Sequence, residues 1–295
     1  MTYCVAMNLA EGLVFVSDSR TNAGVDHIAT YRKLHVFGVP GERLIVLQTA
    51  GNLATSQSVI NLLQQRTQGN GPHLLNVATL YDATVLVADT LREVVNRDRS
   101  KLTGDIDLSS SFIVGGQIAG APMAIYNVYA QGNFFQATPD TPFLQLGESK
   151  YGRPILDRNL DYRTPLDEAL RCGLISFDST IRSNLSVGMP LDLLVYRDNS
   201  LESMTRKRIT SDDAYYQQIR RQWSDGLKTL LAELPAPPAL TPVRRLHLAA
   251  GQTVFLHGPS GCGKSTLLGL LAGVLSPQQG RVSLLGQDWA ALKPG

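Results

Sequence analysis

The chain has little cysteine, and what it has is scattered: Cys4, Cys172 and Cys262 are odd in number and form no CxxC pair. That excludes a zinc ribbon or a dithiol couple and fits a reducing, cytoplasmic setting. Its histidines, His27, His35, His73, His247 and His257, show no HxxxH or HExxH spacing, so no metal site is expected. His35 alternates with Leu34 and Val36 and reads as a structural strand residue. There is no GxSxG elbow of the kind that carries a serine nucleophile. No run of about 18 apolar residues occurs. The opening MTYCVAMNLAEG lacks the basic start and apolar core of a signal peptide, so neither export by that route nor a membrane span is expected. Net charge is small as well. A formal net charge of +2 gives no reason to expect nucleic acid or an anionic membrane as partner. The cluster Arg206, Lys207, Arg208 reads as a solvated strand or turn.

What is present is an ordinary globular composition, 43% apolar and 18% charged over 295 residues, enough for one large domain and a remnant. Short apolar stretches at Tyr3 to Leu9 and Leu13 to Ser17, with Ala10, Glu11 and Gly12 at the turn, predict a hairpin at the N-terminus. Further strands are expected at Leu34–Phe37, Leu44–Gln48, Ser111–Val114, Met123–Val128 and Leu191–Tyr196. Helices are expected at Leu53–Gln65, Leu74–Arg97 and Asp212–Leu234. Thr164, with Pro165 at the first helical position and Asp167 and Glu168 in the first turn, predicts another helix capped by the threonine hydroxyl; Leu166, Leu170, Leu174, Phe177 and Ile181 give its apolar face. On the last helix Tyr215, Tyr216, Trp223 and Leu227 read as packing residues, with a subunit interface as the alternative. Strands, then helices, then strands and helices again argue for an α+β fold with an antiparallel sheet sandwich covered by helices. Pro235, Pro237 and Pro238 close that architecture, placing a boundary near residue 240 between units 1–240 and 241–295.

The chemistry begins at Thr2. Its small side chain favours removal of Met1, which frees an α-amine beside the hydroxyl; with a reference pKa of about 7.7–8.0 that amine can serve as general base to its own Oγ. The set Val16, Ser17, Asp18, Ser19, Arg20, then Thr21, Asn22, Ala23, Gly24, then Lys33, Leu34, then Ala50, Gly51, Asn52 resembles the proteasome β-type family of N-terminal nucleophile hydrolases. In detail MTYCVA, SDSRTNAGVDHI, RKLHVF, LGESKYGRPILDR and DSTIRSNLSVGMPLDLLVYR are similar to the bacterial Anbu group, the ancestral β-subunits. The resemblance implies an αββα sandwich assembled as a homo-oligomeric ring or ring-like spiral, acting on peptide or protein substrates without a cofactor. It further implies Thr2 as nucleophile, Lys33 as the cation beside it and Asp18 holding Lys33. Gly51 would supply the oxyanion N–H, and Arg20 would stand behind the group as a tether. Without Thr2, Asp18, Arg20 and Lys33 would read as a surface ion-pair set.

Two positions depart from the family pattern. Where a GSG serine supports the terminal amine, this chain has Glu148, with Ser149 the nearest hydroxyl. Where an aspartate precedes a serine by three, it has Ser183, followed by Ser186. Asn184 or Asp178 are further candidates to support the amine. These departures keep open a ring-forming scaffold of weak or absent activity.

From about Leu240 the composition changes. Gly258 to Ser265 run GPSGCGKS, a GxxxxGK[ST] loop expected between a strand at Thr253–Leu256 and a helix at Thr266–Leu275. The stretch, with its GRVSLLGQDW hairpin, resembles the opening of an ABC-transporter ATPase. The resemblance implies that Gly258, Ser260, Gly261, Gly263, Lys264, Ser265 and Thr266 would cradle the phosphates of ATP, with Mg²⁺ on Ser265. The Walker B strand, Q-loop, LSGGQ signature and switch histidine of such enzymes fall downstream of Gly295, so hydrolysis is not expected. A nucleotide-binding protein is the remaining alternative function.

Overall fold

A computed structural model describes residues 2–22, 28–100, 106–201, 204–235, 249, 251–272, 274–275, 282–284 and 287–288. Met1, Ala23, Gly24, His27, Pro237, Pro238 and His247, and with them the expected boundary at 240, lie outside the described residues. The chain divides into units 1–234 and 235–295. In the first unit the elements run β1 (Tyr3–Leu9), β2 (Gly12–Asp18), β3 (Arg20–Asn22), β4 (Ile28–Thr30), β5 (Leu34–Val39), β6 (Arg43–Gly51), α1 (Leu53–Arg66) and α2 (Leu80–Arg99). They continue with β7 (Ser110–Ile118), β8 (Ala124–Val128), β9 (Phe134–Gln136), β10 (Phe143–Gly147), α3 (Arg153–Asn159), α4 (Leu166–Ser183), β11 (Leu191–Arg197), β12 (Thr205–Ile209) and α5 (Ala214–Glu233).

Two five-stranded antiparallel sheets, ordered β10-β1-β2-β11-β12 and β5-β6-β7-β8-β9, form the centre of the expected αββα sandwich. The two-residue side-chain period explains the layers. On β1, Cys4 and Ala6 point between the sheets with Phe15, Val46 and Ile113. Tyr3, Val5 and Met7 point the other way, under Leu174 and Phe177 of α4. On β6, Leu44 and Val46 face the sheet interface while Ile45 and Leu47 meet Val59 of α1 and Leu91 of α2. Strands covered on both faces have no polar side to display, so β1, β2 and β6 read as nearly continuous apolar runs.

Several local expectations change. The second helix starts at Leu80, because Thr79 and Asp82 form a capping box there, while His73–Asn76 closes a separate turn. Helix α4 starts at Leu166 with Pro165 at the cap position and no side-chain cap. The Thr164 hydroxyl is already committed, accepting from Asp161 N–H at 2.9 Å. On α5, Tyr216 is buried and Ile219 partly so, but Tyr215, Leu227, Leu230 and Leu231 are exposed, as is Leu234 just after the helix. Packing therefore claims only the first half of that helix, and the expectation of a core role for Tyr215 and Leu227 fails. Arg206, Lys207 and Arg208 lie on β12, an edge strand, exposed as expected.

In the second unit α6 (Lys264–Leu271) follows the glycine loop, and β13 (Ser283–Leu284) pairs with β14 (Gln287–Asp288) as the expected hairpin. Residues 253–256 form no strand. Among the described residues no neighbouring strand pairs with them, and a lone strand leaves its backbone donors and acceptors unmet. Helix α6 has no buried residue.

Candidate active site

Thr2 leads into β1, an inner strand of its sheet between β10 and β2, and the residues around it fix its backbone from three sides. Tyr3 is fully buried, its hydroxyl within 3.0 Å of Ser176 Oγ and its ring 4.4 Å from that of Phe177. The Tyr3 N–H donates to Asp18 Oδ1 at 3.0 Å, and the Glu148 N–H donates to the Thr2 carbonyl at 2.7 Å. Gly147 lies so close that a Cβ there would stand 1.9 Å from the Thr2 oxygen, and its φ of +76° is one that side chains resist. Placed this way, Thr2 is only 9% exposed.

The β1–β2 hairpin brings Asp18 opposite this start, fully buried. Lys33 Nζ donates to Asp18 Oδ1 at 2.7 Å and to the Arg20 carbonyl at 2.6 Å. Gly188 N–H donates to Asp18 Oδ2 at 3.4 Å. Burial pushes the Asp18 carboxyl upward, and the Lys33 ammonium with the Tyr3 and Gly188 amides pulls the other way. Lys33 is held from behind as well, since Thr49 N–H of β6 donates to its carbonyl at 3.0 Å. Arg20 contributes through its backbone, while its side chain lies over Gly188.

Thr2, Lys33, Thr21, Ala50, Gly51 and Gly147 are among the residues lining one cavity of about 590 Å³. Gly51 ends β6 with φ +105°, and a Cβ there would meet the Ser109 carbonyl at 2.3 Å. Helix α1 begins beside it, its cap Asn52 accepting from Thr55 N–H at 3.1 Å. Thr2, Asp18, Lys33, Gly51 and Arg20, picked from sequence, thus meet at one place.

The expected supports of the amine do not gather in the same way. Ser183 is the exposed last residue of α4, and Ser149 passes its carbonyl to Arg153 N–H of α3. Ser186 N–H donates to Asn184 Oδ1 at 2.9 Å. The described hydrogen bonds connect none of these hydroxyls to Thr2. Asp178 points elsewhere: one oxygen pairs with Arg182 at 2.9 Å and the other with Arg220 of α5. The buried group next to Thr2 is Glu148 itself, accepting from Asn184 Nδ2 and Lys150 N–H, both at 3.0 Å. Sequence reasoning treated Glu148 as a lost serine, and it missed Gly147 and Tyr3. A glycine directly before a strand-end carboxylate was the available signal.

The two cysteines of the first unit are poor nucleophiles. Cys4 is fully buried, burial drives its thiol up, and its Sγ is 3.7 Å from the Thr49 carbonyl. Burial pushes the Cys172 thiol up to about 12. Among the described residues no group of three His, Cys, Asp or Glu could hold a metal ion, and no helix is long and apolar enough to cross a membrane.

In the second unit Lys264 Nζ donates to the Gly258 and Pro259 carbonyls, each at 2.8 Å. Gly261 and Gly263 take φ of +84° and +88°, and α6 opens without a side-chain cap. The first amides of a helix have no intrahelical acceptor, and no side chain caps those of α6. Ser260, Ser265 and Thr266 are exposed around the loop.

Residues 243–294 match the ABC transporter family. The taurine import ATP-binding protein of Yersinia pestis bv. Antiqua is 51% identical over 55 residues, 19% of this chain and 21% of that protein. The thiamine import ATP-binding protein of Yersinia pseudotuberculosis is 51% identical over 49 residues, 17% of this chain and 21% of that one. The chain therefore spans about one fifth of the length of these relatives. Among solved structures, a helical assembly of the Anbu complex from Pseudomonas aeruginosa is 71% identical, with a TM-score of 0.79, covering 81% of this chain and all of that one. Anbu (ancestral beta-subunit) from Yersinia bercovieri is 53% identical with a TM-score of 0.76, covering 80% of this chain and 98% of that one.

Proposed function

Because the chain belongs to the Anbu (ancestral β-subunit) family over 81% of its length, we propose that it is a threonine-type N-terminal nucleophile hydrolase of peptide or amide bonds. Removal of Met1 leaves the Thr2 α-amine beside its own hydroxyl. The amine takes the Oγ proton as Oγ attacks the carbonyl carbon, and returns a proton to the departing nitrogen. The resulting ester on Oγ is then cleaved by water, with the amine again as base. The Lys33 ammonium lowers the cost of negative charge on Oγ, and Asp18 fixes that ammonium in place. The Gly51 N–H faces the oxyanion, where losing one donor raises the barrier by roughly 2.7–4 kcal/mol. Arg20 keeps Lys33 aimed through its carbonyl.

The observation that carries this reading is the shared cavity of Thr2, Lys33 and Gly51, with Lys33 locked on a buried Asp18. Hydrolysis of a fluorogenic peptide set by wild type, Thr2→Ser and Thr2→Ala tests it. Activity in the first two, absent in the third, is expected; equal turnover in all three contradicts it.

The similarity to a protein solved as a helical assembly, together with the exposed leucines of α5, supports a homo-oligomer. A scaffold reading is favoured by one observation, the exposure of Ser183 where the family pattern has a carboxylate. In the alternative nucleotide-binding reading, Lys264 and the amides at Gly261, Gly263 and Ser265 would hold a phosphate group and Ser265 the Mg²⁺ of ATP; the lack of any buried residue on α6 disfavours it. No step of hydrolysis is assigned to them.

A further inference from the structure

Among the described residues, Glu148 is a buried carboxylate that forms no ion pair. Its side chain is shielded on the face of the fold where Thr2 begins, only 9% of the residue being exposed. Among the described residues its partners are two neutral donors, Asn184 Nδ2 on Oε2 and Lys150 N–H on Oε1. A carboxylate offers about four acceptor sites, so capacity remains for a further donor. Burying such a charge against amides alone is costly, and a buried charge generally has an opposite one.

The geometry says where that charge stands. The β1–β10 register pairs Tyr3 with Gly147, and one step further sets Glu148 opposite Thr2. The Glu148 N–H to Thr2 carbonyl bond at 2.7 Å makes that pairing real. Residues opposite one another in an antiparallel pair lie roughly 5 Å apart, within the 4–6 Å or so over which opposite charges shift a pKa. The cation that processing creates there is the Thr2 α-ammonium, which carries three donors.

We propose that Glu148, braced by Asn184, is a positioning residue that accepts a hydrogen bond from the Thr2 α-amine and raises its pKa. Lys33 stands on the cavity side of Thr2 and acts in the opposite sense. The two charges together set the amine between a strong base and a free one. The departure from a hydroxyl at this place is then a replacement of the acceptor, and Ser149, Ser183 and Ser186 are not needed for it. The inference rests on Thr2 being the mature N-terminus, as the hydrolase reading requires.

The test measures the amine directly. Full-length protein is released from an N-terminal fusion so that Thr2 is the first residue, as wild type, Glu148→Gln, Glu148→Asp and Asn184→Ala. The rate of N-terminal acylation by a small activated ester is followed against pH by peptide mass spectrometry, and thermal melts check folding. The midpoint is expected to fall by about 1 unit in Glu148→Gln, by less in Asn184→Ala, and to be partly restored in Glu148→Asp. The ascending limb of kcat/KM should move the same way, with kcat reduced and KM unchanged. A merely structural role would lower the melting temperature and leave the midpoint in place. A midpoint that does not move in any folded variant overturns the proposal, whatever the turnover. A shifted midpoint in a protein that hydrolyses nothing would contradict the hydrolase reading and leave the Glu148 contact standing.

Discussion

Replacing Lys33 by methionine removes one charge of a pair buried almost completely, with 6% of the Lys33 side chain and none of Asp18 exposed. Asp18 would then keep the Tyr3 and Gly188 amides but lose its cation, and the Arg20 carbonyl would lose its donor. Breaking a buried pair from one side costs about 3–5 kcal/mol. Asp18→Asn alone strands the ammonium and should cost a similar amount. Lys33→Met with Asp18→Asn removes both charges, so its cost should fall below the sum of the singles, with a coupling of about 2–3 kcal/mol. Urea unfolding followed by far-ultraviolet circular dichroism gives the four free energies of the cycle. All three variants should lose peptide turnover, since each removes the oriented cation beside Thr2. Additive single effects, with coupling under about 0.5 kcal/mol, would mean that Asp18 is not ionised beside Lys33, and the electrostatic account of the nucleophile would fail.

Gly147→Ala forces a side chain against the Thr2 carbonyl and into a left-handed backbone, so it should cost about 2 kcal/mol or more in unfolding free energy and abolish turnover; a fully active variant would contradict the placement of Thr2. His35 is held at about 4 against an ordinary 6.5, chiefly by burial, with Arg206 adding to it. The unfolded chain then takes up a proton that the fold refuses. Stability should therefore fall as pH drops from about 6.5 and level off below about 4, by at most about 3 kcal/mol. Urea midpoints measured against pH should flatten in His35→Asn. Calorimetry with MgATP should give the same result for wild type and Lys264→Ala, because α6 has no buried face to hold the loop against a nucleoside; binding lost only in the variant would favour the nucleotide reading.

Strands buried on both faces were the most legible part of the sequence, because β1, β2 and β6 carry apolar residues without alternation. Short β9 and the three-residue strands β3 and β4 carry too few residues for any period to emerge. Thr164 looked like a cap because its hydroxyl could serve one; the Asp161 turn that claims it depends on backbone geometry. At the site, side chains with a motif were readable, namely Thr2, Asp18, Arg20 and Lys33. The backbone donors of Tyr3, Glu148 and Gly188 were not, since an N–H has no side-chain signature. Thr253–Leu256 has the composition of a strand, but composition supplies no partner.

In the proposed mechanism Thr2 carries the chemistry from the mature N-terminus. Intact mass spectrometry of the purified protein, before and after treatment with an epoxyketone that requires both the hydroxyl and the free amine of an N-terminal threonine, tests it most directly. Loss of the Met1 mass and a single adduct on Thr2, absent in Thr2→Ala, are the expected result. A retained Met1, or an adduct that persists in Thr2→Ala, would contradict it.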